Sequence, residues 1–249
     1  MYNLLVSLGL ALVTFVAVAL ILRPLAGIVP ALLVFGVALF LLTRRVGRKV
    51  DAEMQQLLPM LQAQQVDRAR EHLEGIKRRW GKWQLLLEGQ IDAQLGMLDY
   101  VQMKWDEALP RLQRGRFRNW QAQVCIGAIH HRRGELDKAW AELESAVGTA
   151  PKEAVAWLVY AHLLLRSGER NRALEVLGRG LQALPDSELL QQTQKDLANK
   201  RRLRTDRYPE SWYQFFPEEL VKSHLVRGRR GPQPGVPQPR FGAKMAPRR

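Results

Sequence analysis

Five histidines, one cysteine and two closely spaced pairs of glutamates are the side chains with which this chain of 249 residues could do chemistry. A metal site would need His130, His131 and His162 to share an ion. Carboxylate catalysis would draw on Glu142 with Glu144, or on Glu218 with Glu219, and a phosphate cradle would need glycines such as those in Leu177-Gly178-Arg179-Gly180. Adjacent residues on a helix diverge by about 100°, so His130 and His131 cannot grip one ion, and His162 brings no cysteine or carboxylate cluster with it. Both glutamate pairs read as ordinary solvated helix or loop charges, and the two glycines fall inside a helical pattern. No Walker-type phosphate loop, HExxH pair, GxSxG elbow or CxxC is present. With no acid, base and nucleophile assembled, the reading is not an enzyme, with no cofactor and no metal. Cys125 has no second cysteine to pair with, which suits a reducing compartment, and it reads as core packing.

The elements that carry these residues fall into three zones. Leu4 to Leu22 and Pro24 to Thr43 are two apolar runs, with Arg23 the one charge in or between them. Each is long enough to cross a bilayer as a helix. A cleaved secretory signal would want a basic start, a shorter core and a single run; the expectation is instead a two-helix transmembrane hairpin over 1–49. Arg44, Arg45, Arg48 and Lys49 follow the second helix against Arg23 alone at the tip. The positive-inside rule therefore puts residue 44 onward, and the N-terminus, in the cytoplasm. Small residues four apart, Ser7 with Ala11 and Gly27 with Ala31, offer faces on which helices of separate copies could pack as a homo-oligomer.

The middle zone, 50–202, repeats itself. GELDKAWAELESAVGTAP from Gly134 and GERNRALEVLGRGLQALP from Gly168 superpose at a shift of 34, and the segments before them align as well. Each unit has two apolar-periodic helices, a glycine turn between them and a proline that ends the second. Residues 120–185 hold the best copies. An upstream unit carries Met103 where the turn glycine belongs, and an earlier one shows only Ala69, Leu73 and Ile76 in register, with Pro59 interrupting it. After Pro185 a capping helix is expected to start with Asp186 as N-cap.

These residues resemble the tetratricopeptide repeat family, whose period is 34 and whose small residues, here Gly127 with Ala139 and Ala161 with Ala173, sit where paired helices cross. The resemblance implies an all-α solenoid whose first helices line a concave groove for a peptide or partner helix. By family position Met97, Tyr100, Gln121, Val124, Ala128, His131, Leu158, His162 and Leu165 are the partner-binding residues. This lining is apolar and neutral, unlike the lysine- and asparagine-rich clamp of repeats that hold a terminal carboxylate.

The third zone, 203–249, breaks the pattern. Arg201 to Arg249 carries twelve Lys or Arg against four Asp or Glu, out of a whole-chain charge of +14. Tyr208, just before Pro209, and Trp212, Tyr213, Phe215 and Phe216, between Pro209 and Pro217, crowd into nine residues; a cluster of this size is too apolar to leave in water. Four places suit it: the capping helix, the chain's own groove, a partner, or the headgroup layer of a membrane. The Pro/Gly/Arg-rich remainder, with Arg227, Arg229 and Arg230, reads as disordered, with anionic lipid, a protein partner or other polyanion, or nothing as its contact; for nucleic acid there is only nonspecific charge. The reading as a whole is an integral protein of the bacterial inner membrane that serves as a cytoplasmic protein-interaction scaffold. A transient assembly factor or chaperone for an envelope or motility complex is the alternative.

Overall fold

The computed structural model describes residues 1–21, 27–63, 65–84, 86–201 and 203–219. The hairpin tip at Arg23 and the expected disordered end, with Arg227, Arg229 and Arg230, lie outside the described residues. Among those described there is no strand, and the architecture is all-α.

Helices α1 (Tyr2–Ile21) and α2 (Ile28–Gln55) pack against each other along the apolar runs. The buried face of α1 is Asn3, Ser7 and Ala11, and the Ser7 hydroxyl donates to the Asn3 carbonyl at 2.8 Å. A Cβ on Gly27 would meet the Phe15 carbonyl oxygen at 3.0 Å. Ser7, Ala11 and Gly27, read as a surface for contacts between copies, are thus used within one hairpin. The opposite faces stay bare: Leu12, Leu33 and Phe40 are all more than half exposed. Both helices are long and apolar enough to cross a membrane.

α2 does not stop at the end of its apolar run. It continues through Lys49 to Gln55, and the buried Val46 and Val50 belong to a first hydrophobic core with Leu57, Ala69, Leu73, Ile76, Leu87, Ile91 and Leu95. Its lower end therefore acts as the first helix of the degenerate unit. Pro59 lacks the N–H that would bond back to residue 55, and the helix breaks at Gln56 into the short α3 (Leu57–Gln62). The second helix of that unit is α4 (Val66–Trp80), which buries Ala69, Leu73 and Ile76 at helical spacing.

Three antiparallel pairs follow: α5 (Leu87–Val101) with α6 (Trp105–Arg114), α7 (Trp120–Arg132) with α8 (Leu136–Thr149), and α9 (Ala154–Arg166) with α10 (Arg170–Ala183). At the turn inside each pair the chain enters the left-handed region, at Met103 (φ 62°), Gly134 (φ 75°) and Gly168 (φ 82°). An L-residue pays about 1–2 kcal/mol there that glycine avoids, so the departure of Met103 from the repeat pattern is a local strain. The Gly127 crossing is close, since a Cβ there would meet Leu143 Cγ at 2.8 Å.

Ion pairs brace the weaker first units. The buried Asp92 on α5 binds Lys77 of α4 at 2.8 Å and Arg114 at the end of α6 at 3.0 Å. Two turns later the buried Asp99 binds Arg70 at 2.6 Å and Arg111 at 2.7 Å. The stack closes with α11 (Glu188–Ala198), whose N-cap is Ser187 rather than Asp186: the Ser187 hydroxyl accepts from the Leu190 N–H. Two short 3-10 turns, Thr205–Arg207 and Glu210–Trp212, then lead the chain back over the first helices of the units.

Candidate protein-binding groove

The groove is built from α5, α7 and α9, the first helices of their pairs. Each starts or is positioned by local chemistry: Asn119 caps α7 by accepting from the Ala122 N–H at 3.1 Å, and the turn at 167–169 returns the chain from α9 to α10. Tyr100, Val124, Ala128 and Leu158 are buried in the second, larger core, with Met97 and Leu165 packed at its edge. His131 is turned toward the seam between units, where its ring lies 5.8 Å from that of Trp140 and Nε2 shares a 2.9 Å hydrogen bond with the Ser167 hydroxyl. Burial and the neighbouring Arg166 and Arg132 push its pKa down. His130 is spent on Glu135, at 2.8 Å, so the two adjacent histidines serve different partners.

What covers the groove is the chain's own aromatic segment. Trp212, Phe215 and Phe216 are fully buried, Tyr208 nearly so, and all four belong to the same core as the α5, α7 and α9 residues. Tyr213 packs at its margin. The Tyr100 hydroxyl donates to the Phe215 carbonyl at 2.8 Å, and burial pushes the Tyr100 phenol far above its usual range, keeping it a donor. The Phe215 ring lies 5.9 Å from that of Trp120. The His162 ring meets Trp212 edge-on at 5.1 Å and Phe216 at 4.9 Å. At the far end the Tyr208 hydroxyl lies 3.4 Å from that of Thr193 on α11, which ties the segment to the capping helix as well.

Two arginines clamp the end of the segment. Arg132 donates to the Tyr100 hydroxyl at 3.0 Å and to Glu218 at 2.7 Å, and its guanidinium sits over the Trp105 ring at 4.6 Å. Arg166 pairs with Glu219 and sits over the Phe216 ring at 5.2 Å. The His162 ring, 3.7 Å from Glu219, and then the Arg166 charge hold that carboxyl below the usual carboxylate range against its partial burial. Glu218 and Glu219, read from sequence as solvated charges, are therefore engaged with the groove. Sequence reading also passed over Arg132, Arg166 and Trp120. The available signal was the period itself, because Arg132 and Arg166 lie 34 residues apart at equivalent positions.

The other end of the groove is open. A cavity of about 600 Å³ lies between the lower end of α2, α5 and the start of α7, lined by Met54, Gln90, Gln94, Phe117, Trp120 and Gln121 among others. Phe117 is 64% exposed at its rim. Of the sequence-predicted groove residues, Gln121 lines this cavity, as does Gln90, which family position also puts in the groove; His162 faces the aromatic segment, and most of the remainder are core.

A comparison with protein families matches residues 130–197 to the tetratricopeptide repeat. No curated protein matches the chain. Among solved structures, one reported as the crystal structure of MamA is 17% identical, covering 55% of this chain and 78% of that one, with a TM-score of 0.44. A second, reported as the crystal structure of MamA protein, is 14% identical and covers 81% of this chain and 98% of that one, again with a TM-score of 0.44. The family match falls on α8, α9, α10 and most of α11, the helices with the 34-residue period and paired left-handed turns at Gly134 and Gly168. This part of the chain is a stack of tetratricopeptide-like helical repeats.

Proposed function

We propose that the protein is a membrane-anchored scaffold that holds a segment of a partner protein in the open end of its groove, at the cytoplasmic face of a bacterial inner membrane. The carrying observation is the division of the groove. Its far end is filled by residues 208–219, while the cavity beside α2 is lined by three glutamines, Gln90, Gln94 and Gln121, together with Phe117 and Trp120. Amide side chains flanked by aromatic rings suit the backbone and apolar side chains of a bound helix or extended peptide. The bare apolar faces of α1 and α2 and the basic run Arg44, Arg45, Arg48 and Lys49 support the anchor and its orientation.

A photoreactive residue placed at Gln121 in intact cells is expected to capture a discrete protein, while one at His162 captures the chain's own segment. Capture of nothing but lipid or self from Gln121 would overturn the proposal. The self-filled end favours one second reading, a transient assembly factor whose client displaces residues 208–219. Copurification in fixed ratio with a mature complex would exclude it.

A further inference from the structure

We infer that the connection between α4 and α5, together with the first residues of α1 and the basic end of α2, is a docking surface for anionic phospholipid headgroups that seats the first repeat on the membrane. The inference rests on the reading of α1 and α2 as a membrane hairpin. Helix α1 has 20 residues, and at about 1.5 Å per residue its length equals the hydrocarbon thickness of about 30 Å. Its first residues then lie at the boundary of the hydrocarbon. The repeat domain is tied to that plane by backbone bonds, from the Tyr2 N–H to the Lys82 carbonyl at 3.0 Å and from the Asn3 N–H to the Trp83 carbonyl at 3.2 Å.

The side chains gathered at this level are those that a headgroup layer favours. The Tyr2 and Trp83 rings meet edge-on at 5.6 Å, Trp80 and Trp83 lie 6.4 Å apart, and the Lys49 ammonium sits 5.2 Å from the centre of the Trp80 ring. Lys49 and Lys82 are exposed. Of the nearby acids, Glu53 is taken up by Arg79 at 2.7 Å and by the Trp80 indole N–H at 3.0 Å, and Glu88 lies 3.5 Å from Lys77. Asp51 on α2 lines the groove cavity, on another side of the helix from Lys49. Aromatic rings beside exposed lysines, fixed at the hydrocarbon boundary, match the mixed apolar and anionic character of that layer. The open groove cavity shares Leu86 and the end of α2 with this region, so seating it would fix the distance of a bound partner from the bilayer.

The test uses the full chain in nanodiscs, with nitroxide labels at Gln84→Cys beside Tyr2 and Lys82, at Lys152→Cys on the α8–α9 turn, and at Leu33→Cys on the bare face of α2. Cys125, 1% exposed, stays unlabelled. In discs containing phosphatidylglycerol the Gln84 label is expected to be shielded from an aqueous nickel relaxant and the Lys152 label not. The double variant Lys49→Gln/Lys82→Gln should lower the docked-to-released ratio by about 30-fold, as two basic side chains at an anionic surface imply, and phosphatidylcholine alone by at least as much. Equal water access at Gln84 and Lys152, with Leu33 in hydrocarbon, would overturn the docking surface and leave the hairpin standing. Shielding at Gln84 that ignores lipid charge overturns the anionic assignment. A Leu33 label in water overturns the hairpin, and this inference with it.

Discussion

Replacing Trp212 by alanine should release the aromatic segment from the groove while leaving the repeats folded. The Trp212 ring is fully buried between His162, Tyr208 and Phe216, with ring centres 5.1, 4.7 and 4.6 Å away. Truncating such a side chain costs about 3–5 kcal/mol. Against that loss stand the Tyr100 to Phe215 hydrogen bond, worth about 1 kcal/mol, the ion pairs of Glu218 and Glu219, each about 0–1 kcal/mol at their partial exposure, and the two remaining phenylalanines. The helix pairs α7–α8 and α9–α10 keep their own packing, including the Gly127–Leu143 and Gly180–Trp157 contacts. Loss should therefore be local. Hydrogen exchange followed by mass spectrometry reads this directly: peptides covering 208–219 should exchange about a hundred-fold to a few thousand-fold faster, the factor that 3–5 kcal/mol implies at 1.4 kcal/mol per decade, with α7 to α10 unchanged. Acceleration of α7 to α10 together with 208–219 would refute the reasoning, because the segment would then be inseparable from the repeat core. No change anywhere would mean that Trp212 does not hold it.

Met103→Gly should stabilise the domain by about 1 kcal/mol, since it removes the left-handed penalty at φ 62° from a side chain that is 40% exposed and packs little; denaturant titration checks it, and a destabilised variant would mean the methionine packs better than its exposure implies. Asp99→Ala leaves Arg70 and Arg111 facing each other across a buried position and should cost about 3–5 kcal/mol, measured as a lower urea midpoint. Glu219 titrates below the usual carboxylate range when docked. Its contribution is therefore complete above the unfolded glutamate value of about 4.3 and is lost as pH falls through the lower docked value. Exchange in 208–219 should accordingly rise below about pH 4 in the native protein and lose that rise in Glu219→Gln.

Much of the architecture was legible because it is written locally. A helix pair with a tight turn needs only a 3.6-residue apolar rhythm, a residue that accepts positive φ and a stop, and the stretches from Gly134 and Gly168 state this twice in the same words. The irregular units were legible by their departures: Met103 does take up the left-handed turn without being glycine, and Pro59 does break its helix. The N-cap of α11 was misplaced by one residue because Asp186 and Ser187 are both capping types, and only the geometry of the Leu190 N–H chooses between them.

By itself, then, the sequence determined the helices, their pairing and the two apolar spans, since these follow from periodicity, turn chemistry and length. It left four homes open for Tyr208, Trp212, Tyr213, Phe215 and Phe216, and no local rule separates them. The tertiary structure decided the matter by bringing Tyr100, Arg132, His162 and Arg166, from three helices, onto one concave face that fits the rings and the two glutamates together. Tyr100 and Phe215 are 115 residues apart in the chain. Their contact exists only because stacking three helix pairs creates the surface on which it forms, and that surface is a property of the stack rather than of any segment in it.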